Sequence, residues 1–196
     1  MANVAEKFGL RPYRKLDGTP LVGAQNRYKI APGDSTAIFQ GDLVKIVNGT
    51  IHKVSATGNL QAGVFMGVNW TDPVTKQPTF SNYFPADTSS STGNPKALVL
   101  DDPNATYIVQ ADATVADTQV GLNFDVTLGS GSTITGISGF GMKGGAGADS
   151  AKALRVLRRS TLPGETATDR FPKFEVKLNL HRDDYGKGSV VSITDI

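Results

Sequence analysis

Turn-forming residues cut this chain into short pieces, with 22 Gly and 10 Pro spread along 196 residues. Little room is left for long helices, and the pieces between the breaks are β-rich. Leu43-Val-Lys-Ile-Val47 runs into Asn48-Gly49, the strongest short hairpin signal, and Thr50-Ile-His-Lys-Val54 returns. Residues 63–70 read as a mostly buried strand whose glycines mark bulges or close backbone approach. The three segments together read as a meander. Further strands are expected at 96–100, 106–110 and 123–128, with a turn at Asp101-Asp-Pro-Asn104. Residues 152–159 fit helix or strand, but 174–180 alternates cleanly and needs a partner, which favours strand for both. A short helix or turn fits at 114–121, and the Gly/Ser/Thr-rich span 129–147 is expected to add turns and edges but little core. The predicted fold class is all-β: a small antiparallel β-barrel or sandwich with long loops and an extended N-terminal arm.

The opening of the chain follows a different logic. Phe8-Gly-Leu-Arg-Pro-Tyr-Arg-Lys-Leu-Asp-Gly18 mixes aromatic, basic and turn residues with neither helical nor strand periodicity. Pro12 fixes its own φ and pushes Arg11 towards an extended conformation, so the run reads as an ordered, irregular strap. A strap cannot bury its own Phe8, Leu10, Tyr13 and Leu16, so it needs a surface. Residues 1–30 carry a net charge of +4, residues 31–150 a net of −5 and residues 151–196 a net of +3. Opposite charge in arm and body favours head-to-tail contact between copies. The division expected is an extended arm over 1–30 and a single β-rich domain over 31–196, with a Pro/Ser/Thr-rich insertion at 71–95. Phe8, Tyr13 and Leu16 are candidate apolar anchors for a partner, Arg11 and Arg14 candidate carboxylate binders, and Pro12 holds the run extended.

The chain has no cysteine, which removes disulfides, thiolate catalysis and thiolate metal sites. Its first residues read as lacking a signal peptide, and no apolar run approaches a membrane span. The three Asn-x-Thr triplets at Asn48, Asn69 and Asn104 therefore read as coincidental. The product is expected in a cytosol, or assembled there into something that leaves.

Patterns with chemical meaning are thin. His52 and His181 lie far apart on expected strands, without a second ligand at zinc spacing. His181-Arg-Asp183 lacks the glycine loop and the metal-binding Asp-Phe-Gly of a kinase. Gly139-Phe-Gly-Met-Lys-Gly144 matches the dinucleotide spacing, but Gly-Ala-Gly follows where a helix should open. Asp101 and Asp102 read as turn residues before Pro103-Asn104. Arg155, Arg158 and Arg159 suit phosphate or carboxylate, with no stacking aromatics interleaved to favour nucleic acid. No enzymatic activity, cofactor or metal is expected, and neither nucleic acid nor membrane as a partner.

Ordered along nearly the whole chain are Phe8-Gly-Leu-Arg-Pro-Tyr-Arg14, Leu16-Asp-Gly18, Tyr28-x-Ile-x-x-x-Asp34, Gly41-Asp-Leu-Val44 and Gly63-Val-Phe-Met-Gly67. Asp101-Asp-Pro103, Thr106-Tyr-Ile-Val-Gln110, Gly121-Leu-Asn123, Gly129-Ser-Gly-Ser-Thr133, Leu154-Arg-Val-Leu-Arg158 and Phe174-Glu-Val-Lys-Leu-Asn179 continue the series. In this order the pieces resemble the capsid decoration (cement) proteins of tailed bacteriophages. The insertion at 71–95 and the tail after Tyr185 are less typical of them. The resemblance implies a structural virion protein on the outer surface of an icosahedral shell. It would be a homotrimer clamping adjacent major capsid subunits, assembled in the bacterial host cytoplasm. Phe8, Arg11, Pro12, Tyr13, Arg14 and Leu16 would meet the capsid or a sister subunit. Two rivals are a phage tail or surface β-module stacking host glycan on Trp70, Tyr83 and Phe84, and a hydrolase using Asp101 or Asp102 with His181.

Overall fold

A computed structural model describes residues 4–31, 33–72, 74–88, 95–144, 151–161 and 169–183. In chain order its strands are β1 (Arg11–Lys15), β2 (Gln25–Lys29), β3 (Ile38–Phe39), β4 (Leu43–Val47), β5 (Thr50–Lys53), β6 (Gly63–Thr71), β7 (Pro78–Ser81) and β8 (Tyr83–Phe84). There follow β9 (Lys96–Leu100), β10 (Ala105–Gln110), β11 (Asn123–Phe124), β12 (Val126–Thr127), β13 (Gly141–Met142), β14 (Leu154–Arg159) and β15 (Lys173–Leu178). A single 3-10 turn, Asp117–Gln119, is the helical element among the described residues, within the 114–121 stretch where one was expected. No described helix is long and apolar enough to cross a membrane.

The fold is all-β, and its two main antiparallel sheets make a sandwich. One has the order β1-β10-β15-β14-β11. The other runs β2-β9-β6-β4-β5, with β7 paired to the far half of β6. Successive residues of a strand face opposite sides of the sheet, and here both sides are apolar. Leu43, Val64 and Leu100 join Tyr107, Phe174 and Val176 in the core between the sheets. Their neighbours Val44, Phe65 and Val99 enter a second core with Ile38 and Phe84, supplied by the short β3–β8 pair. Two covered faces explain why 63–70 reads as one apolar run instead of an alternating one. Each fully buried Phe or Leu contributes about 1.5–3 kcal/mol relative to exposure.

The Asn48-Gly49 hairpin forms as expected, with both turn residues at positive φ (49° and 75°) joining β4 to β5. The meander does not, because β4 lies between β5 and β6 and pairs with both. Residues 152–159 take the strand alternative, β14, against β15.

Four further expectations change. The opening is not an irregular strap: Arg11–Lys15 pairs with β10 and Gln25–Lys29 with β9, each as an outermost strand. Strand periodicity is hidden in β1 because its register breaks between Pro12 and Arg14, where Pro12 offers no N–H to a ladder. The insertion at 71–95 is partly built in, since β7 continues from β6 as a hairpin and Phe84 is fully buried; residues 89–94 lie outside the described residues. The Gly/Ser/Thr-rich span does supply core, through Ser138, Phe140 and Met142. His181 forms an isolated bridge with Gln61 instead of sitting in a strand.

Candidate partner-binding face

The six arm residues flank one fixed point, Leu10, which is wholly buried in the inter-sheet core. Backbone bonds hold the chain on either side of it: Gly9 N–H donates to Phe140 O at 3.0 Å, and Leu10 N–H to Gly41 O at 2.9 Å. Leu10 was not among the candidate contacts, and apolar character alone could not separate it from Phe8 or Leu16. From that anchor the others fan out. Phe8 is half-buried beneath the Arg11 guanidinium, 4.9 Å from the ring centre. Phe8, Arg11 and Ile137 border both a groove of about 410 Å³, whose far wall is the 130–138 loop, and a smaller hollow of about 140 Å³ reaching Pro12 and Met66. Tyr13 and Leu16 remain 43% and 46% exposed, and so are open to a partner.

Arg14 departs from its expected role. Its guanidinium forks onto Glu175 of its own chain, with Nε and Nη2 at 3.1 and 2.8 Å from the carboxylate oxygens. Thr106 donates its hydroxyl to the same carboxylate at 2.9 Å, and Arg158 Nε lies 3.2 Å away. Burial pushes the Glu175 carboxyl up. The Arg14 and Thr106 hydrogen bonds, with the charges of Arg14 and Arg158, outweigh it and hold the group below the ordinary glutamate value. A depressed carboxyl stabilises the fold above the ordinary glutamate range, and that contribution is lost as pH falls through and below it. Glu175→Gln is therefore expected to lose about 1–2 kcal/mol at neutral pH. Its urea midpoint should also fall less steeply between about pH 5 and pH 2 than that of the unaltered chain. Parallel pH profiles would show that Glu175 carries no linked charge.

Behind the groove lies a buried ionic node that the sequence did not disclose. Asp42 is fully buried and accepts from Phe39 N–H at 2.9 Å and from the Ser138 hydroxyl. Lys53 Nζ sits 3.0 Å from the same carboxylate, 3.3 Å from Gly129 O and 4.7 Å above the Phe140 ring. Burial raises the Asp42 carboxyl above its ordinary value, against the opposing pull of Lys53, Ser138 and Phe39 N–H. Ser138 both lines the groove and donates to Asp42, so the groove wall is fixed to the β4–β5 hairpin.

The rival sites are placed otherwise. Phe84 is wholly buried and meets Trp70 edge-on, while Tyr83 stacks on Phe39, so the three rings do not form one sugar platform. Asp101 accepts from Tyr28 O–H and the Asn26 amide. Asp102 accepts from Asn104 N–H and meets Lys15 at 3.3 Å, which is turn chemistry. His181 is buried, and its Nδ1 accepts from Asp183 N–H. His52 meets Asp34 at 2.8 Å. Arg159 is paired with Asp117. Among the described residues Gly139 follows no buried strand, and Gly141–Met142 is a strand where a helix should open, so the dinucleotide pattern has no matching context. No three His, Asp or Glu side chains converge as a metal site among the described residues. No protein-family model, curated protein or solved structure matches the chain.

Proposed function

We propose that the chain is a structural virion protein without catalytic activity. It binds the outer surface of an icosahedral phage capsid and clamps adjacent major capsid subunits, as a homotrimer assembled in the bacterial cytoplasm. The observation that carries this reading is β1, an outermost strand that leaves Tyr13 and Leu16 half-exposed beside the Phe8–Arg11 groove. An outermost strand presents a row of backbone N–H and C=O groups, to which an extended partner segment can add. Pro12, Arg14 and Lys15 on the same strand discourage indiscriminate pairing. Leu10 and the Asp42–Lys53 node make the surface rigid before contact, so little ordering entropy opposes binding. Three such surfaces on one trimer convert modest contacts into firm attachment.

The test uses purified phage shells that lack this chain. Recombinant protein is expected to bind them saturably, at about one chain per capsid subunit in the family pattern. Shells that sediment without it would sink the proposal.

A further inference from the structure

Two concavities meet at Arg11, and their walls differ in chemistry. The larger, the groove of about 410 Å³, runs between residues 6–8 and the 130–138 loop, and its wall is rich in hydrogen-bond donors. Arg11 is exposed and lies over the Phe8 ring; among the described residues no carboxylate or carbonyl accepts from its guanidinium. Lys7 is placed by a close approach. A Cβ on Gly141 would come within 3.2 Å of Lys7 Cγ and Cδ, so the lysine stem runs along bare main chain, and its ammonium has no acid partner among the described residues. The Ser132 hydroxyl accepts from Thr135 N–H at 3.4 Å and the Thr135 hydroxyl from Ile137 N–H at 3.3 Å, so each still has its proton to give. Against these donors the wall sets one carboxylate, Glu6. The smaller hollow, about 140 Å³, is lined mainly by Phe8, Leu10, Pro12 and Met66. An apolar cavity of about 150 Å³ takes a benzene-sized group, so this one suits a single aliphatic side chain. The loop between them is fixed by its own backbone: Gly136 N–H donates to Ser132 O at 2.7 Å, Ser132 N–H to Ile137 O at 2.9 Å, and Gln40 N–H to Gly136 O at 3.0 Å.

We infer that the two concavities form one docking site for an extended protein segment that carries an aspartate or glutamate beside an aliphatic residue. The carboxylate meets Arg11 and Lys7 in the groove, the aliphatic side chain enters the hollow, and Ser132 and Thr135 donate to carbonyls of the segment. The inference rests on the shell-binding reading only for whose segment it is, and adds the segment's chemistry. Charge decides the acid. The groove sets two cations against one acid, and a wall rich in donors is satisfied by a group that only accepts. Arg14 shows what a guanidinium of this strand does with a carboxylate in reach, gripping Glu175 of its own chain in a fork. Arg11, on the same strand, is left without that partner. A sugar fits less well, since the Phe8 ring, the one aromatic face in the wall, is covered by Arg11. A nucleic-acid strand needs a run of cations and open stacking rings, which two cations and a covered ring do not supply.

The experiment follows the backbone amide NMR signals of the full, isotope-labelled chain during titration with peptides. The probe is Gly-Ser-Asp-Leu-Asp-Ser-Gly; one control peptide has Asn for both Asp, and the other has Ala for Leu. The probe should shift the amides of residues 8–11 and 130–138 saturably, and each control peptide should bind about tenfold more weakly. The variant Arg11→Gln should also bind the probe about tenfold more weakly, whereas Arg27→Gln, on the outermost strand of the other sheet, should bind it as the unaltered chain does. Unmoved signals elsewhere in both spectra establish that the variants fold. Purified phage shells that lack the chain are titrated in parallel. Peptide binding that follows this pattern without any shell binding would sustain the inference and remove the capsid reading. Shell binding without saturable shifts at the groove would overturn the inference and leave the capsid reading standing. Equal binding of the Asp and Asn peptides, or binding unchanged by Arg11→Gln, would overturn it as well. Inorganic phosphate that moved the same amides at lower concentration than the probe would overturn it in favour of a phosphate ligand.

Discussion

Asp42→Ala is expected to lower the unfolding free energy by about 3–5 kcal/mol, the range for breaking a buried ion pair from one side. The loss has three parts. Phe39 N–H and the Ser138 hydroxyl lose their acceptor, and each is left inside the protein. The Lys53 ammonium, only 12% exposed, loses its counter-charge while remaining between the rings of Phe39 and Phe140. The 129–140 segment loses the one of its two side-chain ties to the hairpin that runs through Ser138, keeping the Lys53–Gly129 bond. The double variant Asp42→Ala/Lys53→Met should be more stable than Asp42→Ala alone, because the orphaned charge is gone. Urea denaturation of the three proteins checks both statements. A single-variant loss below about 1 kcal/mol would mean that the pair is not the tie inferred from its burial. Acid should not imitate the substitution. A carboxyl held above its ordinary value favours folding more as it takes up its proton, so the acid limb belongs to Glu175 instead.

Gly63→Ala is expected to be as damaging, about 3–5 kcal/mol, for a purely steric reason. Gly63 opens β6 with φ at 149°, opposite Val44 of β4, and its neighbour Val64 pairs with Leu100 of β9. A methyl group there would stand 2.2 Å from Leu100 O and 2.9 Å from Val99 Cγ1. A backbone oxygen bound into a sheet cannot swing aside as a side-chain tip can. Either β9 moves, with Val99 and Leu100 leaving two cores at once, or β6 gives up its pairing. Gly58→Ala, which would meet open space, should change stability by no more than about 0.5 kcal/mol. Thermal melts of the pair make the comparison directly. Equal midpoints would show that the sheet tolerates the approach.

Both results turn on features of unequal visibility. The β4–β5 hairpin was readable because Asn48-Gly49 encodes its turn locally, and β15 because three apolar residues alternate with three polar ones. β1 was not, because its partner strand lies almost a hundred residues away and Pro12 breaks the local pattern. Arg14 looked available for a partner on composition alone, and only the pairing of β1, β10 and β15 brings it to Glu175. The Asp42–Lys53 pair is likewise a product of hairpin register, in residues eleven positions apart with no spacing rule to mark them. The 129–144 segment looked too rich in glycine to bury anything. Its few large residues, Phe140 and Met142, are nevertheless fully enclosed, because the main chain beside them packs backbone to backbone. Phe8, Leu10, Tyr13 and Leu16 read as apolar residues in need of a surface; the structure buries Leu10 in the inter-sheet core and leaves the other three partly open.

The strand order also sets a timetable for synthesis. The six-stranded sheet draws only on residues 25–100, so everything it needs has left the ribosome by mid-chain. β1, made first, has no neighbour until Ala105–Gln110 emerges, and its sheet is incomplete until Lys173–Leu178 follows. Distant pairings of this kind are slow to close. The first of these strands to be made is thus among the last to find its place, and a nascent chain cannot offer the finished edge at β1 before the sandwich behind it exists.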